Sequence, residues 1–318
     1  MTLDRRTFLQ IAAAGLGAAA IPLQIHAKAP QQNRQAPGYY RFDVGDFEVT
    51  ALNDGVIEID PALYAKADKS EAMELLKAAH RAPKVPTSIN AFAINSGSTL
   101  TLVDTGAANG FGPGSGKVSA NLAAAGIDPA SVDVVFITHL HPDHANGLIT
   151  AEGAAVFPNA ELVLTEKEFA FWYDDGVLSQ APAEFKPFFE GARKAVKPYA
   201  SRIRKITEGE IVPGLTAIAA PGHTPGHAMV RVGSGNDGLL IWGDVIHTAV
   251  MQFPHPEWAV SFDVDQDLAI ATRKAVFDRA VSEGVMVAGM HLDFPGIGFV
   301  SRTKAGYDYH PAFWSPTL

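Results

Sequence analysis

The stretch Thr138-His139-Leu140-His141-Pro142-Asp143-His144 decides the fold. It follows Val134-Val135-Phe136-Ile137, a continuous apolar run that is typical of a strand buried on both faces. Four imidazole or carboxylate side chains within six residues cannot all lie unpaired in a core, because burying that much polarity costs too much free energy. Zinc accepts imidazole nitrogen and carboxylate oxygen as ligands, and the chain offers no cysteine thiolate. The segment therefore predicts metal ligands on a turn at the end of a buried strand.

Three later segments repeat this placement at the end of an apolar run. They are Pro221-Gly222-His223-Thr224-Pro225-Gly226-His227, Gly243-Asp244 and Gly289-Met290-His291. Glycines in these segments permit abrupt turns after a strand. Because each segment lies where a strand is expected to end, we predict that several strand ends present ligands along one rim. A lone His-x-His would be weak support, whereas this set indicates a site for two nearby ions.

The remaining pattern mixes strands and helices. Strands are predicted at 47–52, 216–220, 228–232, 239–242 and 285–288, with a turn at Asn53-Asp54-Gly55 and a hairpin that joins 91–94 to 99–103. Helices are predicted at 117–125, 166–174 and 183–199, the last interrupted by Pro187, and along one apolar face between 269 and 281. Strands that come first as a meander and then alternate with helices indicate sheet layers with helices packed outside.

Composition limits the classes of function. With 47% hydrophobic and 19% charged residues among 318, the chain is typical of a globular protein. A net charge of -9 and the absence of a basic block argue against nucleic acid as a partner. We found no later linker or repeat, so residues 39–318 are predicted to form one domain. The Pro-, Gln- and Ala-rich residues 28–38 are predicted to be a flexible arm.

The N-terminus is typical of an export signal. Arg5-Arg6-Thr7-Phe8-Leu9 is a twin-arginine motif, followed by an apolar run at 11–23 and a small-residue cleavage site after Ala27. The alternative is a membrane anchor, but the run is shorter than the ~20 residues needed to span a bilayer. We therefore predict a signal peptide at 1–27, no anchor after cleavage, and a bacterial periplasmic or secreted protein.

The order, spacing and context of the ligand segments resemble the metallo-β-lactamase superfamily over essentially the whole mature chain. The resemblance implies an α+β four-layer αβ/βα sandwich and two Zn²⁺ per chain, with Mn²⁺, Co²⁺ or Fe²⁺ as alternatives. It implies one ion held by His139, His141 and His223, a second held by Asp143, His144 and His291, and Asp244 bridging both. A metal-bridging hydroxide would then attack the substrate, with Asp143 and Asp244 as candidates for accepting or relaying the proton.

Two more polar residues near these segments have implied or open roles. Asp104, in Val103-Asp104-Thr105-Gly106, matches a family carboxylate that orients a ligand histidine. His227 is either a support behind the metal ligands or a packed core histidine, and the sequence leaves both open.

Within the superfamily, the closest resemblance is to the branch of methyl parathion hydrolase and its lactonase relatives. It is carried by residues 36–41, 102–108 and 294–298, whereas Asp143-His144 and the lack of a cysteine ligand disfavour a β-lactamase. The resemblance implies a homodimer and an aromatic-lined pocket formed by Phe111, Trp172 and Phe188. Helical positions such as Trp172 and Phe188 are otherwise core positions. The glycine-rich segment 110–116 does not fit the phosphate-loop pattern, so it is interpreted as a mobile lip that carries Phe111.

Two positions favour one substrate class. Members of the branch specialised for phosphotriesters carry leucine where this chain has His247 and Phe262, so a narrower and more polar pocket is expected; His247 could instead be a surface or packing residue. We therefore expect hydrolysis of a lactone or carboxyl ester, of aryl-lactone or acyl-homoserine-lactone type, with organophosphate triesters as a side activity. The alternatives are a dedicated phosphotriesterase and, more distantly, a non-catalytic exported binding module.

Overall fold

The computed structural model describes residues 31–318, so the predicted signal peptide at 1–27 lies outside the described residues. Residues 31–38 contain neither helix nor strand, and the first strand begins at Tyr39. Residues 37–318 form one compact unit. Among the described residues, no helix combines the length and the apolar character that a membrane crossing requires.

The strands form two seven-stranded sheets. The first sheet runs in chain order through β1 (Tyr39–Val44), β2 (Phe47–Ile59), β3 (Val85–Asn95), β4 (Leu100–Val103), β5 (Val134–Phe136), β6 (Glu161–Thr165) and β7 (Ile203–Ile206). The second, in chain order, contains β8 (Gly209–Val212), β9 (Leu215–Ala219), β10 (Ala228–Val232), β11 (Leu239–Ile241), β12 (Met286–Ala288), β13 (Ile297–Arg302) and β14 (Tyr307–Pro311). Pairing is antiparallel from β1 to β4 and parallel from β4 to β7. In the second sheet only β11 and β12 pair in parallel.

The helices lie outside the sheets. They are α1 (Lys69–Ala78), α2 (Val118–Ala124), α3 (Pro142–Ala145), α4 (Glu166–Tyr173), α5 (Asp175–Gln180), α6 (Lys186–Val196), α7 (Ala249–Gln252) and α8 (Gln266–Glu283). Residues of α2, α4 and α6 pack on one face of the first sheet, and Phe277 of α8 packs with Leu240 on one face of the second.

Alternation along β5 shows why its sequence is continuously apolar. Val134 and Phe136 face the second sheet, where they join Val230 and Ile241 in a shared core. Val135 faces the helices on the opposite side. Both faces are therefore buried. The resulting order of helices, sheet, sheet and helices confirms the predicted αβ/βα sandwich.

Two local predictions were wrong. Asn53-Asp54-Gly55 does not end a strand: β2 continues to Ile59, and its register against β3 shifts between Asn53 and Gly55, as in a β-bulge. Pro187 does not interrupt its helix, because α6 begins at Lys186 and proline is compatible with a first turn, where the backbone N–H has no partner in the helix. The predicted hairpin is present as β3 and β4, and the helix before Gly126 as α2.

Candidate metal centre

Four strand ends bring the predicted ligands together at one edge of the sandwich. The segments that follow β5, β9, β11 and β12 carry these side chains, all of them buried. One group comprises His139, His141, His223 and Asp244, and a second comprises Asp143, His144 and His291; within each group the candidate ligand atoms lie within 4.8 Å of one another. The structure thus places all seven predicted ligand side chains in one cluster.

Asp244 lies between the two groups. Its Oδ2 is 3.3 Å from His223 Nε2 in the first group and 3.2 Å from His291 Nε2 in the second. Its Oδ1 is 3.2 Å from His144 Nε2. A carboxylate that lies this close to histidines of both groups has the placement required to bridge two cations.

Hydrogen bonds fix the direction of the histidine rings. The Nδ1–H groups of His144, His223 and His291 donate to Asp104 Oδ2 at 2.7 Å, to Asp263 Oδ1 at 2.7 Å and to the Ser88 carbonyl at 2.9 Å. In each ring the Nε2 lone pair then points into the cluster. Such outward partners set both the tautomer and the orientation of a metal-binding histidine.

The atoms that face the centre lack ordinary partners. His223 Nε2 lies 2.9 Å from His141 Nδ1 and 3.2 Å from His139 Nε2, so three imidazole nitrogens converge as the ligands of one cation do. Within residues 31–318, His144 Nε2 and Asp244 Oδ1 are buried without a hydrogen-bond partner. Imidazole and carboxylate donors in this arrangement fit zinc or another divalent transition metal.

The electrostatics of the cluster also call for a cation. Burial works against a charged ring at His223, yet hydrogen bonds and charges from Asp244 and Asp263 outweigh it and raise the pKa to about 9. Burial likewise opposes a charged His144, but Asp244, Asp143 and Asp104 raise its pKa well above the usual value. The carboxylates therefore attract positive charge into the site, either as protons or as metal ions.

Two glycines make the local turns possible. Gly222 has a φ of +127°, and a Cβ there would lie 2.2 Å from the backbone nitrogen of Ala269. Gly243, with a φ of +58°, would place a Cβ 2.4 Å from His227 Nε2. Any side chain at either position would displace a segment that carries a ligand.

The two supporting residues considered from sequence contact the cluster from behind. Asp104 accepts hydrogen bonds from Thr138 N and Thr138 Oγ1, both at 2.8 Å, and from His144. His227 donates through Nδ1 to the Ala220 carbonyl at 2.8 Å and accepts the Asp244 amide through Nε2 at 2.9 Å. Both nitrogens of His227 are thus engaged by the backbone, and burial lowers its pKa to about 3, so the ring is neutral.

A cavity of about 660 Å³ opens onto the cluster. Its lining includes the ligands His141, Asp143, Asp244 and His291, and its apolar walls come from Val56, Ile57, Ile59, Leu63, Phe185 and Phe188. Of the predicted pocket residues, Phe111, Phe188, His247 and Phe262 line it. His247 is only 1% exposed and therefore is not a surface residue; its Nε2 lies 3.1 Å from Asp244 Oδ2.

Trp172 does not line this cavity. The side chain is 2% exposed and packs in the core between the first sheet and its helices, while its Nε1–H donates to Glu168 Oε1 at 2.5 Å. Its ring touches the edge of the His141 ring, with 5.6 Å between ring centroids. A tryptophan at a helical position is expected to be a core residue, and Trp172 is one. Its ring packs against the ligand His141 from the protein interior.

Sequence reasoning missed three contributors to the site: Ser88, Glu168 and Asp263. Glu168 and Asp263 act through single side chains and Ser88 through its backbone carbonyl, and each has a partner distant in sequence, so no spacing pattern marks them. Asp263 follows Phe262, which was singled out only for its apolar ring. Glu168 and Asp263 could have been noticed only as acidic residues next to apolar ones.

Comparisons with known proteins agree with this geometry. The family model described as "Metallo-beta-lactamase superfamily" matches residues 85–290. The crystal structure of the hydrolase AbOPH, in the beta-lactamase superfamily, shares 35% identity with a TM-score of 0.85, and the alignment covers 89% of this chain and all of that one. AidC, a dizinc quorum-quenching lactonase solved with the product N-hexanoyl-L-homoserine, shares 27% identity with a TM-score of 0.81, covering 87% of this chain and 98% of that one.

Shorter segments match curated relatives. An N-acyl homoserine lactonase of Bacillus cereus is 28% identical over 122 residues, which covers 38% of this chain. The matched segments span between 40% and 63% of the length of the curated relatives. The family model alone covers more than half of the chain, and the fold and the metal-binding cluster agree with it. The chain therefore belongs to the metallo-β-lactamase superfamily and is a hydrolase of that superfamily.

Proposed function

We propose that this hydrolase opens lactones or cleaves carboxyl esters, of aryl-lactone or acyl-homoserine-lactone type, with two divalent cations, zinc in the first instance. One observation carries the proposal. The large, mostly apolar cavity opens directly onto both groups of ligand side chains, so a neutral substrate bound there meets the metal centre. A cavity of this size matches ordinary small-molecule sites.

The residues suit this chemistry. His139, His141 and His223 would hold one cation, Asp143, His144 and His291 the other, and Asp244 both. When bound, the pair of cations would supply hydroxide at neutral pH and polarise the substrate carbonyl. Asp143 and Asp244 line the cavity, where a carboxylate can accept a proton from water and return it to a leaving group.

The pocket walls favour a flat, neutral ester. Phe188 and Phe262 offer apolar surface beside the ligands. The His247 ring packs against Phe262 with 5.1 Å between centroids and stacks on His291 at 5.2 Å, so it occupies space next to the second group. A bulky tetrahedral triester needs that space more than a planar lactone does. The similarity to a dizinc lactonase supports the same choice.

A substrate panel tests the proposal. Hydrolysis of dihydrocoumarin, an N-acyl homoserine lactone and methyl paraoxon would be compared for the wild type, His247→Leu and the exposed control His310→Leu. We expect the wild type to prefer a lactone, and His247→Leu to lose lactone turnover while gaining triester turnover. A wild-type preference for methyl paraoxon would instead identify a dedicated phosphotriesterase. The absence of any hydrolysis by the metal-loaded protein would favour a binding module.

We also propose export and dimerisation. The twin-arginine motif supports export to the periplasm or medium with removal of residues 1–27. Mass measurement of the protein recovered from its native host would test the cleavage after Ala27. The resemblance to the methyl parathion hydrolase branch supports a homodimer, which sedimentation of the mature protein would test.

A further inference from the structure

Glu168 is a buried carboxylate with no part in the metal-ligand set. It lies on α4, and its side chain is fully buried. Glutamate in a core is costly unless every acceptor is satisfied. A leucine or methionine would serve the packing of α4 on the first sheet at least as well, so the carboxylate requires another explanation.

Its hydrogen bonds reach both segments that carry the three histidines of the first group. Oε1 accepts the backbone N–H of Leu140 at 2.9 Å, and Leu140 stands between His139 and His141. Oε2 accepts the hydroxyl of Thr224 at 2.6 Å, and Thr224 follows His223. One side chain thus joins the segment after β5 to the segment after β9.

Thr165, the residue before α4, makes a second connection to the segment after β9. Thr165 Oγ1 donates to the Gly226 carbonyl at 2.6 Å. A Cβ at Gly226 would lie 2.0 Å from the backbone nitrogen of Glu168, so the backbones of these two segments are in direct contact there. Trp172, whose Nε1–H also donates to Glu168 Oε1, lies against His141. Helix α4 and the residue before it therefore contact the segments that carry His139, His141 and His223 at several points.

The second group of ligands has different supports. His144 is held by Asp104, and His291 by the Ser88 carbonyl. Neither contact involves α4. A disturbance at Glu168 should therefore be felt mainly by the position formed by His139, His141 and His223.

We propose that Glu168 is a positioning residue for one of the two cations: it fixes the distance between the His139/His141 segment and His223, and so sets the metal affinity of that position selectively. The inference rests on the proposed metal centre. It concerns metal binding alone, so it does not depend on which ester the enzyme cleaves.

Four variants test the proposal. Glu168→Leu removes all the acceptors at similar volume. Glu168→Gln keeps an oxygen for Leu140 and Trp172 and can donate to the Thr224 hydroxyl, so it serves as the conservative rescue. Thr224→Val removes only the link to His223. Tyr199→Phe is the control: the Tyr199 hydroxyl is buried in the same core and bonds the Leu148 carbonyl and Phe157 N, away from the ligands.

The readout is stepwise zinc binding to the metal-free, full-length mature protein, measured by competition with a chromophoric chelator. Anomalous diffraction from partly loaded crystals would identify the depleted position. We expect Glu168→Leu to weaken zinc at the His139/His141/His223 position by on the order of 10–100-fold. Thr224→Val should weaken the same position less, and Glu168→Gln and Tyr199→Phe should stay near the wild type.

Several results would overturn the inference. They are unchanged zinc binding in Glu168→Leu, an equal loss at both positions, or a similar loss in Tyr199→Phe. If Glu168→Leu does not fold, Thr224→Val decides, and wild-type affinity in that variant refutes the proposal. A wild-type protein that binds no zinc at all would overturn the proposed function itself, which is a distinguishable outcome.

Discussion

Replacing Asp104 by asparagine should weaken zinc binding at the second cation position although the side chain keeps its size. The two carboxylate oxygens of Asp104 accept from Thr138 N on one side and from Thr138 Oγ1 and His144 Nδ1 on the other. Asparagine has one acceptor oxygen and an NH₂ group. If the oxygen faces Thr138 N, the NH₂ faces the Nδ1–H of His144, and two donors oppose each other. In the alternative rotamer the NH₂ faces the Thr138 N–H instead, and two donors again oppose each other.

The expected magnitude follows from the bond that is lost. A hydrogen bond to a charged group contributes about 1.5–3 kcal/mol. With 1.36 kcal/mol for each factor of ten, zinc affinity at the position of Asp143, His144 and His291 should fall by roughly 10–100-fold. To relieve the conflict, His144 would move its proton to Nε2, the nitrogen that faces Asp244, and so block that ligand atom.

Chelator competition on the metal-free protein would measure this loss. Asp133→Asn is the matched control, because the Asp133 side chain is exposed and accepts a hydrogen bond from the Leu100 amide in the same sheet, away from the ligands. Wild-type affinity for both zinc ions in Asp104→Asn would refute the view that Asp104 holds His144. An equal loss in Asp133→Asn would show that the effect is not local.

Three further outcomes are expected. Removing metal with a chelator should abolish hydrolysis and lower the melting temperature, because a ligand that binds only the folded state stabilises it; an unchanged melting curve would count against a metal bound by the folded state. Burial opposes a charged His223 ring, yet Asp244 and Asp263 raise its pKa to about 9. Below that pH a cation must therefore displace a proton from the His223 ring. Zinc affinity from titrations in a buffer series should therefore rise with pH up to about 9, whereas a flat profile would contradict this reasoning. Gly243→Ala should lose about 2 kcal/mol or more of unfolding free energy by denaturant titration, since its Cβ would meet His227. Gly45 has a φ of +57° and open space around a Cβ, so Gly45→Ala should lose only the free energy that corresponds to backbone strain. Equal losses in the two variants would exclude the clash.

Much of the site could be predicted from the sequence because its ligands stand at the ends of apolar runs. The four residues within 139–144 share one turn, and His223, Asp244 and His291 each follow a strand. Strand ends on one edge of a sandwich are brought together by the fold, so local spacing was enough to name the cluster.

The supporting contacts could not be predicted in the same way. Glu168 reaches Thr224, and Asp263 reaches His223, across long sequence separations that depend on how α4 and the segment after α7 pack. The resemblance, and not the helical pattern, placed Trp172 in the pocket wall, whereas its ring packs in the core on the other side of His141. Asp54 was interpreted as part of a turn, whereas the amides of Gly116 and Val118 bind its side chain within a bulged strand.

We propose that two cations lie between the segments that follow β5, β9, β11 and β12. Metal analysis of the purified mature protein, combined with anomalous diffraction at the zinc edge, tests it most directly. We expect about two zinc ions per chain, one beside His223 and one beside His291, with Asp244 between them. A stable, folded protein without metal at this cluster, even after incubation with zinc, would contradict it.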